Sequence, residues 1–87
     1  MSEKISGAQM RAARALLRWT ALDLARASRV GVATIRRVEV IDGQISATAV
    51  NQSALRRALE EAGVEFIEEN GGGAGVRLRK PSEKRIK

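Results

Sequence analysis

Arginine is the side chain in this sequence best able to do chemistry. Between residues 11 and 37 stand Arg11, Arg14, Arg18, Arg26, Arg29, Arg36 and Arg37, opposed only by Asp23, for a local charge of +6. A guanidinium keeps its proton at any ordinary pH and offers a planar fork of donors, so it binds phosphates and guanine edges and does not shuttle protons. The residues for other chemistry are missing. With no His and no Cys, the chain has no imidazole base, no thiolate nucleophile, no disulfide and almost no route to a zinc or iron site. Carboxylates stand side by side at Glu60-Glu61 and Glu68-Glu69, but neighbours on a helix diverge and neighbours on a strand face opposite ways. General acid–base work needs such groups converging in one pocket. The glycine-rich residues 70–75 lack the Lys-Ser/Thr pair of a P-loop and the spacing of a dinucleotide fingerprint. No catalytic residue, metal or cofactor is expected, and no enzymatic activity.

The elements that carry these arginines must come from one small domain, because 87 residues close a single core. Apolar residues make up 44%, and the two aromatic residues, Trp19 and Phe66, are too few to stack on single-stranded bases. The total charge of +6 is unevenly spread: residues 38–69 carry −5 and residues 70–87 carry +5. A block of arginines in one half fits a phosphate-facing surface, and it equally fits a solvated helical face. No apolar run is long enough to cross a membrane, and Glu3, Arg11 and Arg14 stand where a signal peptide needs apolar residues. A cytoplasmic protein without membrane partners is expected.

Periodicity and caps predict a mainly α chain with a small C-terminal β-hairpin. Ser6 and Gln9 form a capping box that opens a helix near Gly7, with Met10, Ala13, Leu16 and Leu17 on its apolar side. Thr20 and Asp23 form a second box. The short helix it opens turns Leu24, Ala25 and Ser28 inward and breaks at Val30-Gly31. A third helix spans about 32–40, with Ile35 and Val38 buried and Ala33, Arg36, Arg37 and Val40 roughly opposite. After the Asp42-Gly43 turn, Ser46 or Thr48 caps a fourth helix. Its inner face is Val50, Leu55, Ala58, Leu59 and Ala62, and Gly63 stops it. Residues 64–67 and 76–79 then alternate as two strands. Residues 1–63 form the helical domain and 64–79 a hairpin extension whose open edge suits dimerisation. Residues 80–87 are a basic tail, expected to be disordered.

A helix-turn-helix requires a small residue in its first helix, an apolar residue in the turn and two apolar residues three apart on the second. Ala25, Val30, Ile35 and Val38 stand at those places, separated by five, five and three. Around them lie Gly7-Ala8-Gln9, residues 11–17, Trp19-Thr20, Leu24-Ala25 and residues 33–39, followed by residues 55–67, Asn70-Gly71-Gly72-Gly73 and residues 75–79. In this combination, residues 6–79 resemble the small helix-turn-helix regulators related to phage Cro and repressor proteins, the XRE family. The resemblance implies a compact bundle of four or five helices whose third helix enters the DNA major groove. It also implies transcriptional regulation, commonly as a homodimer on a palindromic or repeated operator. Two positions depart from the family pattern: Ala21 stands where Gln often braces a phosphate, and Arg29 where Gly is usual in the turn.

Docked as the resemblance implies, Arg36 and Arg37 face guanine edges or flanking phosphates, and Val32 and Ala33 face thymine methyl groups. Thr34 then reaches a phosphate or a base, at a helix whose leading end is Gly31. Arg11, Arg14, Arg18, Arg26 and Arg29 are expected to be phosphate ligands more than base readers. Glu39 is expected to make an internal cap or ion pair, and Trp19 to join the core. Sequence-specific double-stranded DNA binding is the leading expectation. The alternative is a protein-interaction module on the same fold, an antitoxin or anti-activator with weak or no specific DNA binding.

Overall fold

Three of the four helices in the computed structural model of the protein, which describes residues 4–79, begin where a side chain satisfies their first amides. Helix α1 (Gly7–Leu17) opens with the capping box: Gln9 N–H donates to Ser6 Oγ at 3.0 Å and Ser6 N–H to Gln9 Oε1 at 2.9 Å. The two amides between them donate to loop carbonyls, Gly7 to Gly43 at 2.9 Å and Ala8 to Asp42 at 3.4 Å. All four amides left over at a helix start are thus satisfied. Helix α2 (Ala21–Ser28) opens with the second box, in which Thr20 N–H and Asp23 Oδ2 lie 2.8 Å apart. Hydrogen bonds from Thr20 hold the Asp23 carboxyl below its ordinary pKa. Helix α3 spans Val32–Glu39, and Thr48 caps α4 (Ala49–Glu61). Gly63, at φ 116°, turns the chain out of α4 into strand β1 (Val64–Ile67), which pairs antiparallel with β2 (Gly75–Leu78).

The described residues form a compact, mainly helical fold of four helices and one two-stranded sheet. Met10, Leu24, Ile35, Val38, Leu55, Leu59 and Val64 form its fully buried centre, so every element except β2 contributes. Leu17, Trp19 and Phe66 pack against it from the margin. The hairpin is tied in by polar contacts as well. Gln9 Nε2 donates to the carbonyls of Gly75 (3.1 Å) and Ile67 (3.4 Å), and Arg79 N–H donates to Gly63 at 2.7 Å. On its outer face Arg77 pairs with Glu65 across the strands at 2.6 Å.

Two expected core positions lie on the surface. Leu16 is 40% exposed, because it stands about 90° from the line of Met10, Ala13 and Leu17 on a helix of 3.6 residues per turn. Val50 is 77% exposed, and Gln52 is buried in the first turns of α4 instead. Val50 falls about 150° from the Leu55–Leu59 face, so the inner stripe starts two residues later. The basic tail expected at 80–87 lies outside the described residues.

Two arginines end helices in the left-handed region, Arg18 at φ 58° and Arg29 at φ 65°. A side chain with a Cβ is strained there, whereas glycine is not. Arg29→Gly is expected to raise stability by about 1 kcal/mol and the thermal midpoint by roughly 4–8 °C. Thermal denaturation followed by circular dichroism checks this, and an unchanged or lower midpoint would contradict it.

Candidate nucleic-acid interface

The turn between α2 and α3 is only three residues long, and each has one task. Arg29 ends α2, its amide donating to the Ala25 carbonyl at 2.8 Å. Val30 is buried under the turn, and its amide donates to Ser28 Oγ at 3.2 Å. That hydroxyl in turn donates to the Leu24 carbonyl at 2.7 Å. A small polar residue at 28 therefore both lets the helices approach and satisfies the turn. Gly31, with φ −60° and ψ 142°, opens α3 without any side-chain cap. Ser6, Thr20 and Thr48 cap the other three helices, so among the described residues α3 is the one helix whose leading amides have no side-chain acceptor. Such a terminus carries partial positive charge and attracts anions.

The inner side of α3 is anchored by both packing and charge. Ile35 and Val38 are fully buried, and Glu39 is 6% exposed. Arg14 grips the Glu39 carboxylate at two points, Nε to Oε2 at 2.7 Å and Nη2 to Oε1 at 2.8 Å. Its Nη1 donates to the Trp19 carbonyl at 2.8 Å. The hydrogen bond with Glu39 raises the Arg14 pKa above its ordinary value, and burial opposes part of that rise. Arg11 donates to the Glu39 carbonyl and to Asp42 Oδ1, the latter at 2.6 Å. Glu39 thus makes the expected internal ion pair. Arg11 and Arg14, expected as phosphate ligands, have internal partners here: they hold the last turn of α3 against α1. A carboxylate buried at the end of α3 needs cationic partners, and α1 supplies them.

The outer side of α3 has no such partners. Ala33, Arg36, Arg37 and Val40 are exposed, while Val32 and Thr34 are half-buried. Val32 leans partly on the core, so it is less outward than expected. Arg36 and Arg37 make no ion pair or side-chain hydrogen bond among the described residues, and neither do Arg18 or Arg29. Arg26 is exposed on α2, 3.9 Å from Asp23. The expected site residues therefore divide: Val32, Ala33, Thr34, Arg36 and Arg37 share one helix, with Arg29 and Gly31 in the turn before it. Arg18 and Arg26 extend the positive charge onto the end of α1 and the face of α2.

A shallow polar cleft flanks this face. Arg37 and Thr34 line it from α3, and Ser46, Ala47, Thr48 and Asn51 from the start of α4 and the loop before it. Its α4 side was not anticipated beyond the role of Thr48 as a cap, because residues 41–48 follow no helical or strand period. Ala21 is buried at the start of α2. Among the described residues, no acidic cluster suits a metal ion and no helix is long and apolar enough to cross a membrane. No family model matches the chain, and no curated protein is recognisably similar to it.

Proposed function

We propose that the protein is a sequence-specific double-stranded DNA-binding transcription regulator of the Cro/repressor-like helix-turn-helix type, with α3 seated in the major groove. The observation that carries this reading is the division of the arginines. Those on α1 are engaged by Glu39 and Asp42, whereas Arg29 in the turn before α3 and Arg36 and Arg37 in its last turn are exposed, with no internal partner among the described residues. A solvated face needs no such asymmetry, while a phosphate-lined groove rewards it. The three-residue turn with Arg29 in the left-handed region supports the reading, because that is where the family favours glycine. A homodimer supplies the two-fold symmetry of a palindromic operator.

The test is binding to duplex DNA from the protein's own upstream region across a salt series. Specific binding should weaken steeply as salt rises, and replacing Arg36 and Arg37 together by Ala should reduce it at least about 30-fold. Both side chains are exposed, so the thermal midpoint should stay within a few degrees. Salt-independent binding, or no loss in the double variant, would sink the proposal.

The 77% exposure of both Val40 and Val50 favours a second reading, a protein-interaction module such as an antitoxin or anti-activator. It predicts a stable protein complex that survives the same double replacement. Copurification from the native cell separates the two.

A further inference from the structure

The face of α3 carries a chemical vocabulary narrow enough to specify the bases it reads. The core side of α3 is set by Ile35, Val38 and Glu39. At 3.6 residues per turn, Ala33, Arg37 and Val40 lie about 150° or more from that side, whereas Arg36 lies only about 110° away. Arg37 thus points into whatever α3 is laid against, while Arg36 leans toward a flank. Ala33 and Arg37 are one turn apart, about 6 Å along the axis, close to the spacing of two base-pair steps. The outward residues of α3 include no Asn or Gln to pair with adenine and no free carboxylate to accept from cytosine, since Glu39 is locked to Arg14.

Resting on the duplex-binding reading above, we propose that each half-site combines a guanine held by Arg37 with a thymine whose 5-methyl packs on Ala33, and that Arg36 grips a phosphate. A guanidinium fork matches guanine O6 and N7 together, and a methyl side chain gains only from an apolar partner. Adenine is then selected merely as the pair of that thymine, with its N7 uncontacted. Thymine and 5-methylcytosine present the same methyl group, so the latter partly substitutes at that position.

The test begins by selecting duplexes from a fully randomised library with the full chain. Single atoms of the enriched duplex are then edited. Replacing the key thymine by deoxyuracil, which removes only the methyl, should weaken binding about fourfold. Replacing the guanine by 7-deazaguanine should weaken it about tenfold, whereas 7-deazaadenine opposite the thymine should change nothing. Arg37→Ala should erase the 7-deazaguanine effect and leave the deoxyuracil effect, and Ala33→Gly should do the reverse. Arg36→Ala should weaken all duplexes alike and lower the salt slope by about one. The base edits use the unaltered protein, so misfolding cannot imitate them. Enriched duplexes that ignore the thymine methyl and guanine N7, or depend on adenine N7, would overturn this inference and leave DNA binding intact. Failure to enrich any duplex would overturn both.

Discussion

Gly7→Ala is expected to remove at least about 3 kcal/mol of stability, in a chain whose total is on the order of 4–13 kcal/mol. The usual helix propensities predict the opposite sign, because alanine exceeds glycine by about 1 kcal/mol within a helix. Geometry decides the outcome. A Cβ on Gly7 would overlap the Ile41 carbonyl oxygen, and would sit 2.8 Å from the Val38 carbonyl oxygen and 2.9 Å from the Ile41 carbonyl carbon. These are backbone atoms, so no side chain can rotate away. Relief requires parting α1 from the end of α3. That would also strain the bonds from Gly7 and Ala8 to the carbonyls of Gly43 and Asp42. Gly43→Ala is the control, because a Cβ there meets nothing within 4 Å. Thermal denaturation should show the midpoint falling by roughly 12 °C or more for Gly7→Ala and barely moving for Gly43→Ala. Equal midpoints for the two variants would refute the close approach.

Breaking the tie between α1 and α3 by charge should be nearly as damaging. Glu39→Ala leaves the Arg14 guanidinium with only the Trp19 carbonyl in a site where its side chain is 23% exposed. Losing one partner of a buried pair costs about 3–5 kcal/mol, and the partial exposure of Arg14 argues for about 3 kcal/mol or slightly less. Replacing both groups tells a different story. Arg14→Met with Glu39→Leu removes the desolvation penalty together with the attraction, so its stability should return to within about 1 kcal/mol of the original. Denaturant titration of both single variants and the double variant gives the coupling directly. Additive losses would show that the two side chains do not act as a pair. Because α3 has only eight residues, its aim depends on this anchor and on Ile35 and Val38. The same double variant therefore asks whether the ion pair also sets the proposed duplex affinity.

The parts of this structure that depend on near neighbours were legible from the residues alone. Ser6 with Gln9, Thr20 with Asp23 and Thr48 mark helix starts because a cap acts over three residues. The buried pair Ile35 and Val38 and the hairpin strands follow from periods of 3.6 and 2. Leu16 and Val50 misled because an apolar residue near a stripe looks the same whether it falls inside or outside the contact. Composition could rule out thiol and imidazole chemistry but could not say which arginines were free.

That last question belonged to the tertiary structure. Seven arginines in residues 11–37 look alike as a string. Which of them is spent depends on a carboxylate more than twenty residues away, carried to Arg14 by the crossing of α1 and α3. Ion-pair strength follows distance and solvent exposure, neither of which a linear order contains. The chain by itself therefore determined its helices, its turn and its positive charge, while only the packing chose the arginines left facing outward.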